Sequence, residues 1–166
     1  MSSEALPADA RAQVITISDR SHGGLRHDTS GPLLASLLHD ELGFGVADVV
    51  VVPDDIPEIE KALRAAVDAG FDLVVTTGGT GFAPRDVTPE ATRRVIDREA
   101  PGLAEALRQL NRETVPTTIL SRAVAGVAGS SIIVNLPGST GAVRDGITVL
   151  APVIGHAIVQ LRGGDH

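Results

Sequence analysis

Short β-branched runs that alternate with amphipathic stretches predict an α/β domain, a three-layer sandwich whose mostly parallel central sheet is flanked by helices. Two further observations support this class. Some apolar runs are nearly continuous, as in strands buried on both faces. The length of 166 residues suits one domain with one core.

Taken in order, residues 1–12 read as a flexible polar N-terminal tail and residues 13–166 as a single domain. Residues 13–18 are the first strand. A loop bearing Gly, His and Arg follows, from residue 19 to 29. Ser30 is expected to cap a helix, with Pro32 in its first turn. Leu33, Leu34, Leu37, Leu38 and Leu42 give that helix its stripe, and Gly43 and Gly45 end it. Residues 46–52, bounded by Pro53, read as a strand buried on both faces. Residues 57–69 form a helix with Ile59, Leu63, Ala66 and Val67 on one side, closed by Gly70. Residues 73–76 are a further buried strand that runs into Gly78-Gly79-Thr80-Gly81. Thr88-Pro89-Glu90 starts a helix expected to reach Glu99. Pro101 breaks it, and another helix continues to Leu110. Residues 131–135 form the last strand, and Val143, Ile147, Leu150, Ile154, Ile158 and Leu161 mark a terminal helical stripe broken near Pro152.

Composition narrows the function. Hydrophobic residues make up 43% and charged residues 21%, as in soluble globular proteins. No apolar run approaches the roughly 18–20 residues that cross a bilayer, and no basic segment precedes an apolar one at the N-terminus. The absence of cysteine excludes disulfides, thiolate metal sites and a cysteine nucleophile, and it fits a cytoplasmic location. A net charge of −7 with no polybasic run argues against nucleic acid and anionic membranes as partners. Three Phe are the only aromatic residues, so unpaired bases have little to stack on. Lys61 is the only lysine and falls on the polar side of a predicted helix. A covalent lysine-AMP or a phosphate-loop lysine is therefore not expected. Nucleotide phosphate would have to be held by backbone N–H groups, arginine and metal.

Ligands of open α/β sheets bind beyond the carboxyl ends of the strands. Four predicted strands end in unusual sequence: Ser18-Asp19-Arg20, Pro53-Asp54-Asp55, Gly78-Gly79-Thr80-Gly81 and Asn135-Leu136-Pro137-Gly138-Ser139. In a parallel sheet these turns share one edge. The glycine turn reads either as a phosphate cradle of backbone N–H groups or as a tight strand-to-helix turn. It fits neither the dinucleotide fingerprint nor the phosphate loop. Asp54, Asp55 and Asp86 put two or three carboxylates at this edge, which repel unless a cation joins them, and Mg²⁺ takes one or two carboxylates plus substrate phosphates and water. Alternatively, Asp54 or Asp55 caps the helix near Pro57, with Asp55 the better capper, and Asp86 caps the helix near Thr88. Ser121-Arg122 could contact an anion or form a surface turn with an exposed arginine. Arg85 could bind phosphate or pair with Asp86. His22, His27, His39 and His156 lack metal-binding spacing, and there is no nucleophile elbow.

The run Thr-Thr-Gly-Gly-Thr-Gly-Phe-Ala-Pro-Arg-Asp-Val-Thr-Pro-Glu-Ala-Thr at residues 76–92 closely resembles the signature of the MogA/MoaB family of molybdenum-cofactor proteins, which includes the gephyrin G domain. Ser18-Asp19-Arg20, Asp28-Thr29-Ser30-Gly31, Val52-Pro53-Asp54, Leu120-Ser121-Arg122 and Asn135-Leu136-Pro137-Gly138 follow the same pattern in order, so the likeness spans roughly residues 14–162. The resemblance implies that a phosphate of molybdopterin attacks the α-phosphorus of ATP with Mg²⁺ present. Adenylyl-molybdopterin and pyrophosphate result. Asp54 and Asp86 match its essential aspartates, expected to act in catalysis and at the metal. Ser121 matches a serine of its pterin site. Ser18, Asp19, Asp28, Ser30, Gly78, Gly79, Thr80, Gly81, Arg122, Asn135, Pro137, Gly138 and Ser139 are the further candidates for substrate or nucleotide binding. A homotrimer is implied, or a hexamer built from two trimers, with transient contact to a molybdate-inserting protein. Residues 84–89 resemble the active branch of the family. Residues 121–128 and 137–140 resemble the MoaB branch, which includes members without adenylylating activity, so pterin binding without catalysis is the alternative.

Overall fold

The computed structural model describes residues 4–164. In chain order the elements are β1 (Arg11–Ile17), α1 (Asp19–His22), α2 (Ser30–Asp40), β2 (Gly45–Val46), β3 (Val50–Val52), α3 (Ile56–Asp68), β4 (Leu73–Thr77), α4 (Thr88–Arg93), β5 (Arg98–Glu99) and α5 (Pro101–Gln109). A 3₁₀ turn (Pro116–Leu120), β6 (Ala125–Ala128), β7 (Ser131–Leu136), α6 (Thr140–Leu150) and α7 (Ile154–Leu161) complete the chain. The sheet order is β2-β1-β4-β7-β6-β5, with β3 also paired to β1. The strands from β2 to β7 in this order run parallel, and β6 is antiparallel to both its neighbours. This is the three-layer α/β class that the alternating pattern predicts.

Strand alternation builds the two cores. Val14, Leu73, Val75, Ile132, Val134 and Leu136 point to one face, where α2, α6 and α7 supply Leu34, Leu38, Ile147, Leu150 and Ile158. Ile15, Ile17, Val74 and Ile133 point to the other, against Ile59 and Leu63 of α3 and Ala91 of α4. All five residues of β4 are buried. Each fully buried Leu or Ile contributes about 1.5–3 kcal/mol by leaving water. No single helix among the described residues is long and apolar enough to cross a membrane.

Four expectations need correction. The run at residues 46–52 is not one strand buried on both faces. It splits into β2 and β3 at the sheet edge, and Val50 is 38% exposed. The Gln13 side chain donates to the Asp48 carbonyl (2.8 Å) between the two pieces, in place of a ladder bond. The helix expected to reach Glu99 stops at Arg93, because Asp97 N–H donates to Val127 O and Arg98 and Glu99 pair with β6. The strands β5 and β6 themselves were not anticipated. Gly126 makes their pairing possible, since a Cβ there would meet Arg98 O and Ile96. Finally, the stretch before residue 13 is no loose tail within the described residues. Ala10 is buried, β1 starts at Arg11, and Glu4, Ala5 and Leu6 lie so close to Gly155 that only glycine fits. Residues 1–3 and 165–166 of the predicted tail and domain lie outside the described residues.

Asp72 ties the chain's two ends to the sheet. Its Oδ2 accepts from Arg11 N–H (2.9 Å), and its Oδ1 accepts from Arg162 Nε and Nη2 (3.0 and 2.9 Å). Asp72 is 8% exposed, so its loss would strand these donors. Asp72→Ala should lower stability by about 2 kcal/mol in urea unfolding, the scale of hydrogen bonds to a charged group. An unchanged midpoint would show that the tie carries no net free energy.

Candidate functional site

The four sequence turns meet at the carboxyl edge of the parallel strands, and backbone hydrogen bonds join them directly. Ser18 N–H donates to Val52 O (3.0 Å), linking the ends of β1 and β3. Asp19 N–H donates to Asp54 Oδ2 and Asp54 N–H donates to Asp19 Oδ1, both at 2.9 Å. Gly78 N–H donates to Leu136 O (3.0 Å), and the Thr77 hydroxyl donates to Pro137 O (3.2 Å), linking β4 to β7. Gly78 and Gly79 hold φ of 104° and 69°, left-handed values that favour glycine. A Cβ on Gly78 would strike Ile17 O, and one on Gly79 would strike Thr88 Oγ1.

A buried polar column fixes this turn from below. Thr88 Oγ1 donates to Gly78 O (2.9 Å), and Thr88 N–H donates to Gly79 O (3.1 Å). Thr92 Oγ1 donates to Thr88 O, and Asn135 Nδ2 donates to both Thr76 Oγ1 and Thr92 Oγ1 at 3.0 Å. Among the described residues, the N–H groups of Gly79, Thr80 and Gly81 have no acceptor. The three residues line the cleft described below, and free N–H groups of such a turn can take an anion.

Asp54 and Asp86 flank the same three residues. Asp54 Oδ1 lies 3.1 Å from the position a Cβ would occupy on Gly79, and Asp86 Oδ2 lies 2.9 Å from that of Gly81. The capping reading holds for Asp55, the better capper expected, and not for Asp54 or Asp86. Asp55, not Asp54, caps α3 by accepting from Glu58 N–H, and α4 has no side-chain cap. Asp86 Oδ2 instead accepts from Ala83 N–H (3.1 Å) and closes the loop.

Two cavities adjoin the glycine turn and share Gly78 and Gly138. A cleft of about 810 Å³ is lined by the glycine turn, Phe82, Asp86, Val115, Leu120, Ser121 and Asp145, with Pro137, Gly138 and Ser139 on the α6 side. A polar pocket of about 110 Å³ is lined by Ser18, Ser21, Arg26, His27, Asp28 and Ser30 among others. Ser139 caps α6 by accepting from Ala142 N–H, so the positive end of that dipole opens on the cleft. Asp28 accepts from Thr16 Oγ1 (2.7 Å) and Gly31 N–H (3.1 Å), which orders the start of α2.

Four candidates line neither cavity: Asp19, Asp54, Arg122 and Asn135. Asn135 is fully buried, and it accepts from Val124 N–H as well as donating to Thr76 and Thr92. It supports the turn and faces no ligand. Arg122 is half-buried and turned inward, not an exposed surface residue. Its guanidinium donates to Gly81 O (2.8 Å), Asp86 O (2.7 Å) and the Glu90 carboxylate, clamping the loop. Arg85 pairs with Asp19 (2.8 and 2.9 Å), not with Asp86. Phe82, Thr117, Thr118 and Asp145 line the cleft without having stood out in the sequence. Asp145 falls off the apolar stripe of its helix, as any solvent-facing residue would.

The electrostatics single out one carboxylate. The Arg85 guanidinium and the Asp54 backbone N–H hold Asp19 below the usual carboxylate range. Burial works to raise Glu90, but the Arg122 hydrogen bond, a backbone N–H and the charges of Arg122 and Arg93 together hold it below the usual carboxylate range. Asp54 is pushed up, first by desolvation and then, against the Asp19 N–H bond, by the charges of Asp19 and Asp86. Among the described residues no three His, Cys, Asp or Glu side chains converge as a closed metal cage. A divalent ion held by Asp54, Asp86 and ligand phosphates fits this donor set, because a cation would relieve the carboxylate repulsion.

A raised carboxylate pKa means the folded chain binds that proton more tightly than the unfolded chain. The Asp54 contribution to stability is therefore lost as pH rises from the ordinary carboxylate value through the raised one. Asp54→Asn should raise Tm at pH 7 without divalent cations, and the difference should close at pH below the ordinary carboxylate range. A Tm at pH 7 equal to or below that of the parent chain would refute the strain on Asp54.

Residues 13–156 match the family model described as "Probable molybdopterin binding domain". The chain is 41% identical over 150 residues to the molybdopterin adenylyltransferase of Haemophilus influenzae, covering 89% of this chain and 76% of that protein. Among solved structures, the Mog protein of Mycobacterium ulcerans is 48% identical with a TM-score of 0.86, covering 92% of this chain and 99% of that one. The MoaB protein of Thermus thermophilus is 44% identical with a TM-score of 0.85, covering 93% and 97%. The chain spans about half or less of the larger curated relatives it matches, 48%, 21% and 25% of their lengths. On the match over residues 13–156, the chain belongs to the molybdopterin-binding domain family of molybdenum-cofactor biosynthesis.

Proposed function

We propose that this chain adenylylates molybdopterin with ATP. The observation that carries the reading is the position of Asp54 beside Gly79 and of Asp86 beside Gly81, in a turn where the N–H groups of Gly79, Thr80 and Gly81 have no acceptor among the described residues. An oxygen of the molybdopterin phosphomonoester attacks the α-phosphorus of ATP. The bond from that phosphorus to the β-bridging oxygen breaks, pyrophosphate leaves, and a phosphoanhydride forms. Such a reaction needs charge neutralisation and in-line placement, with no covalent protein intermediate.

The chain supplies these with few groups. The N–H groups of Gly79, Thr80 and Gly81 bind phosphate oxygens. Asp54 and Asp86 would hold Mg²⁺, which would neutralise charge on the triphosphate. The cleft of about 810 Å³ takes the pterin, with Ser121 and Ser139 offering hydroxyls and Phe82, Val115 and Leu120 the apolar walls. The same reading has the chain act in the cytoplasm as a homotrimer that passes its product to a molybdate-inserting protein. Exposed Leu25, Ile119 and Val153 support subunit contact. The resemblance of residues 121–128 and 137–140 to the MoaB branch supports a second reading, pterin binding without transfer.

Pyrophosphate release from ATP, measured anaerobically with molybdopterin and Mg²⁺, separates the two. Release dependent on both substrates is expected, and a folded sample that binds molybdopterin without release would favour the second reading. Asp86→Asn keeps a side-chain acceptor for Ala83 N–H. It should slow release on the order of 10²–10³-fold, by analogy with lost charge-stabilising contacts, while molybdopterin affinity stays within about threefold. Undiminished turnover would remove Asp86 from the mechanism.

A further inference from the structure

The large cleft contains a carboxylate that the transfer chemistry does not use. Asp145 sits in the second turn of α6 and lines the cleft together with Val115, Thr118 and Ser121. Its Oδ1 accepts from Asn111 Nδ2 at 2.8 Å. Asp145 is half-buried, and its Oδ2 takes no protein hydrogen bond among the described residues. Asn111 is itself fixed. It has φ of 60°, the only positive value outside glycine among the described residues, and its carbonyl accepts from Thr114 and Val115 N–H groups. One oxygen of Asp145 is thus held from behind while the other is left for the cleft.

The charge of this group makes its position informative. Both proposed substrates carry phosphate, and an ionised carboxylate repels them. The anionic ends belong at the glycine turn, where unpaired N–H groups lie. Asp145 must then face a part of the ligand rich in donors. The 2-amino-4-oxopyrimidine edge of a pterin offers two neighbouring donors, an amino N–H and a ring N–H, and no negative charge. A carboxylate accepts such a pair through both oxygens, since each has two lone pairs and Asn111 uses one. The Ser121 hydroxyl can donate or accept and cannot impose that direction, and the Thr118 hydroxyl spends its proton on Arg108 O (3.0 Å), which leaves it a neutral acceptor.

We propose that Asp145 reads the aminopyrimidinone edge of the pterin and, with Asn111 behind it, sets which end of molybdopterin enters the cleft. This rests on the adenylylation reading above. It assigns Asp145 to binding and orientation, with no part in bond making. A 2,4-dioxopteridine, which presents an oxygen in place of the amino group, should be rejected.

Three chains test it: the parent, Asp145→Asn and Asn111→Gly. Asparagine keeps the acceptor for Asn111 but can turn an NH₂ donor towards the donors of the pterin. Glycine tolerates the left-handed backbone of residue 111 and removes only the brace. In the pyrophosphate assay Asp145→Asn should raise KM for molybdopterin on the order of 10–100-fold, the scale of a lost charged acceptor. KM for ATP and kcat should stay within about twofold, and Asn111→Gly should raise KM for molybdopterin by less than about fivefold. Inhibition of the parent by 6-hydroxymethylpterin should exceed inhibition by the matching lumazine, and Asp145→Asn should lose that preference. Equal KM for molybdopterin in parent and Asp145→Asn would overturn the proposal, as would equal losses in both variants, which would mark a bracing role only. Absence of pyrophosphate release by the parent would instead defeat the adenylylation reading. Pteridine preference, followed by equilibrium fluorescence, would then still decide the role of Asp145.

Discussion

The site depends on the hydrogen bonds that hold the backbone at Gly78 and Gly79. The N–H of Gly78 is spent on Leu136, and the two carbonyls are spent on Thr88. With those groups engaged, the next three N–H groups are the ones left without acceptors. The left-handed angles of the two glycines make that division possible, and the Asn135–Thr76–Thr92 network makes it rigid. A buried polar network of this kind specifies a geometry only when every member is satisfied. No buried side-chain N or O atom lacks a partner among the described residues.

That rigidity supports a local conflict. Asp19, Asp54 and Asp86 sit around one turn, with Arg85 bonded to Asp19 alone. Arg122, the other nearby guanidinium, is committed to the backbone of the loop and to Glu90. Asp54 is left partly desolvated and facing like charge. Such an arrangement lowers the stability of the free chain, and it suits a group whose partner arrives with the substrate. The fold tolerates it because the cost is confined to one edge of a sheet whose central strands are buried throughout.

Much of this was legible in the sequence, for physical reasons. Period-two and period-3.6 patterns mark the buried faces, so β1, β4, β7 and the helices α2, α3, α5 and α6 could be read. The parallel sheet then brings Ser18, Asp54, Gly78 and Pro137 to one edge, whatever the details between them. The antiparallel margin was harder. Arg98 and Glu99 carry no strand signature, and the pairing that claims them depends on a distant Gly126. One signal was present: Gly129-Ser130 between Ala128 and Ser131 is a two-residue hairpin turn, with Gly129 at φ 58°. Arg122 and Asn135 were assigned to the ligand because motif position cannot tell a wall residue from a support behind it. Asp145 was invisible for the opposite reason, since a polar residue off a helical stripe ordinarily faces water.

The central claim is that Asp54 and Asp86 act as a unit, through one ion on one nucleotide held at the glycine turn. A double-mutant cycle on pyrophosphate release measures that coupling directly, using Asp54→Asn, Asp86→Asn and the pair. If the two carboxylates serve one ion, removing the second adds little, and the double variant should be within about threefold of the slower single variant. If the two losses multiply, the carboxylates work independently and the shared site described here does not exist.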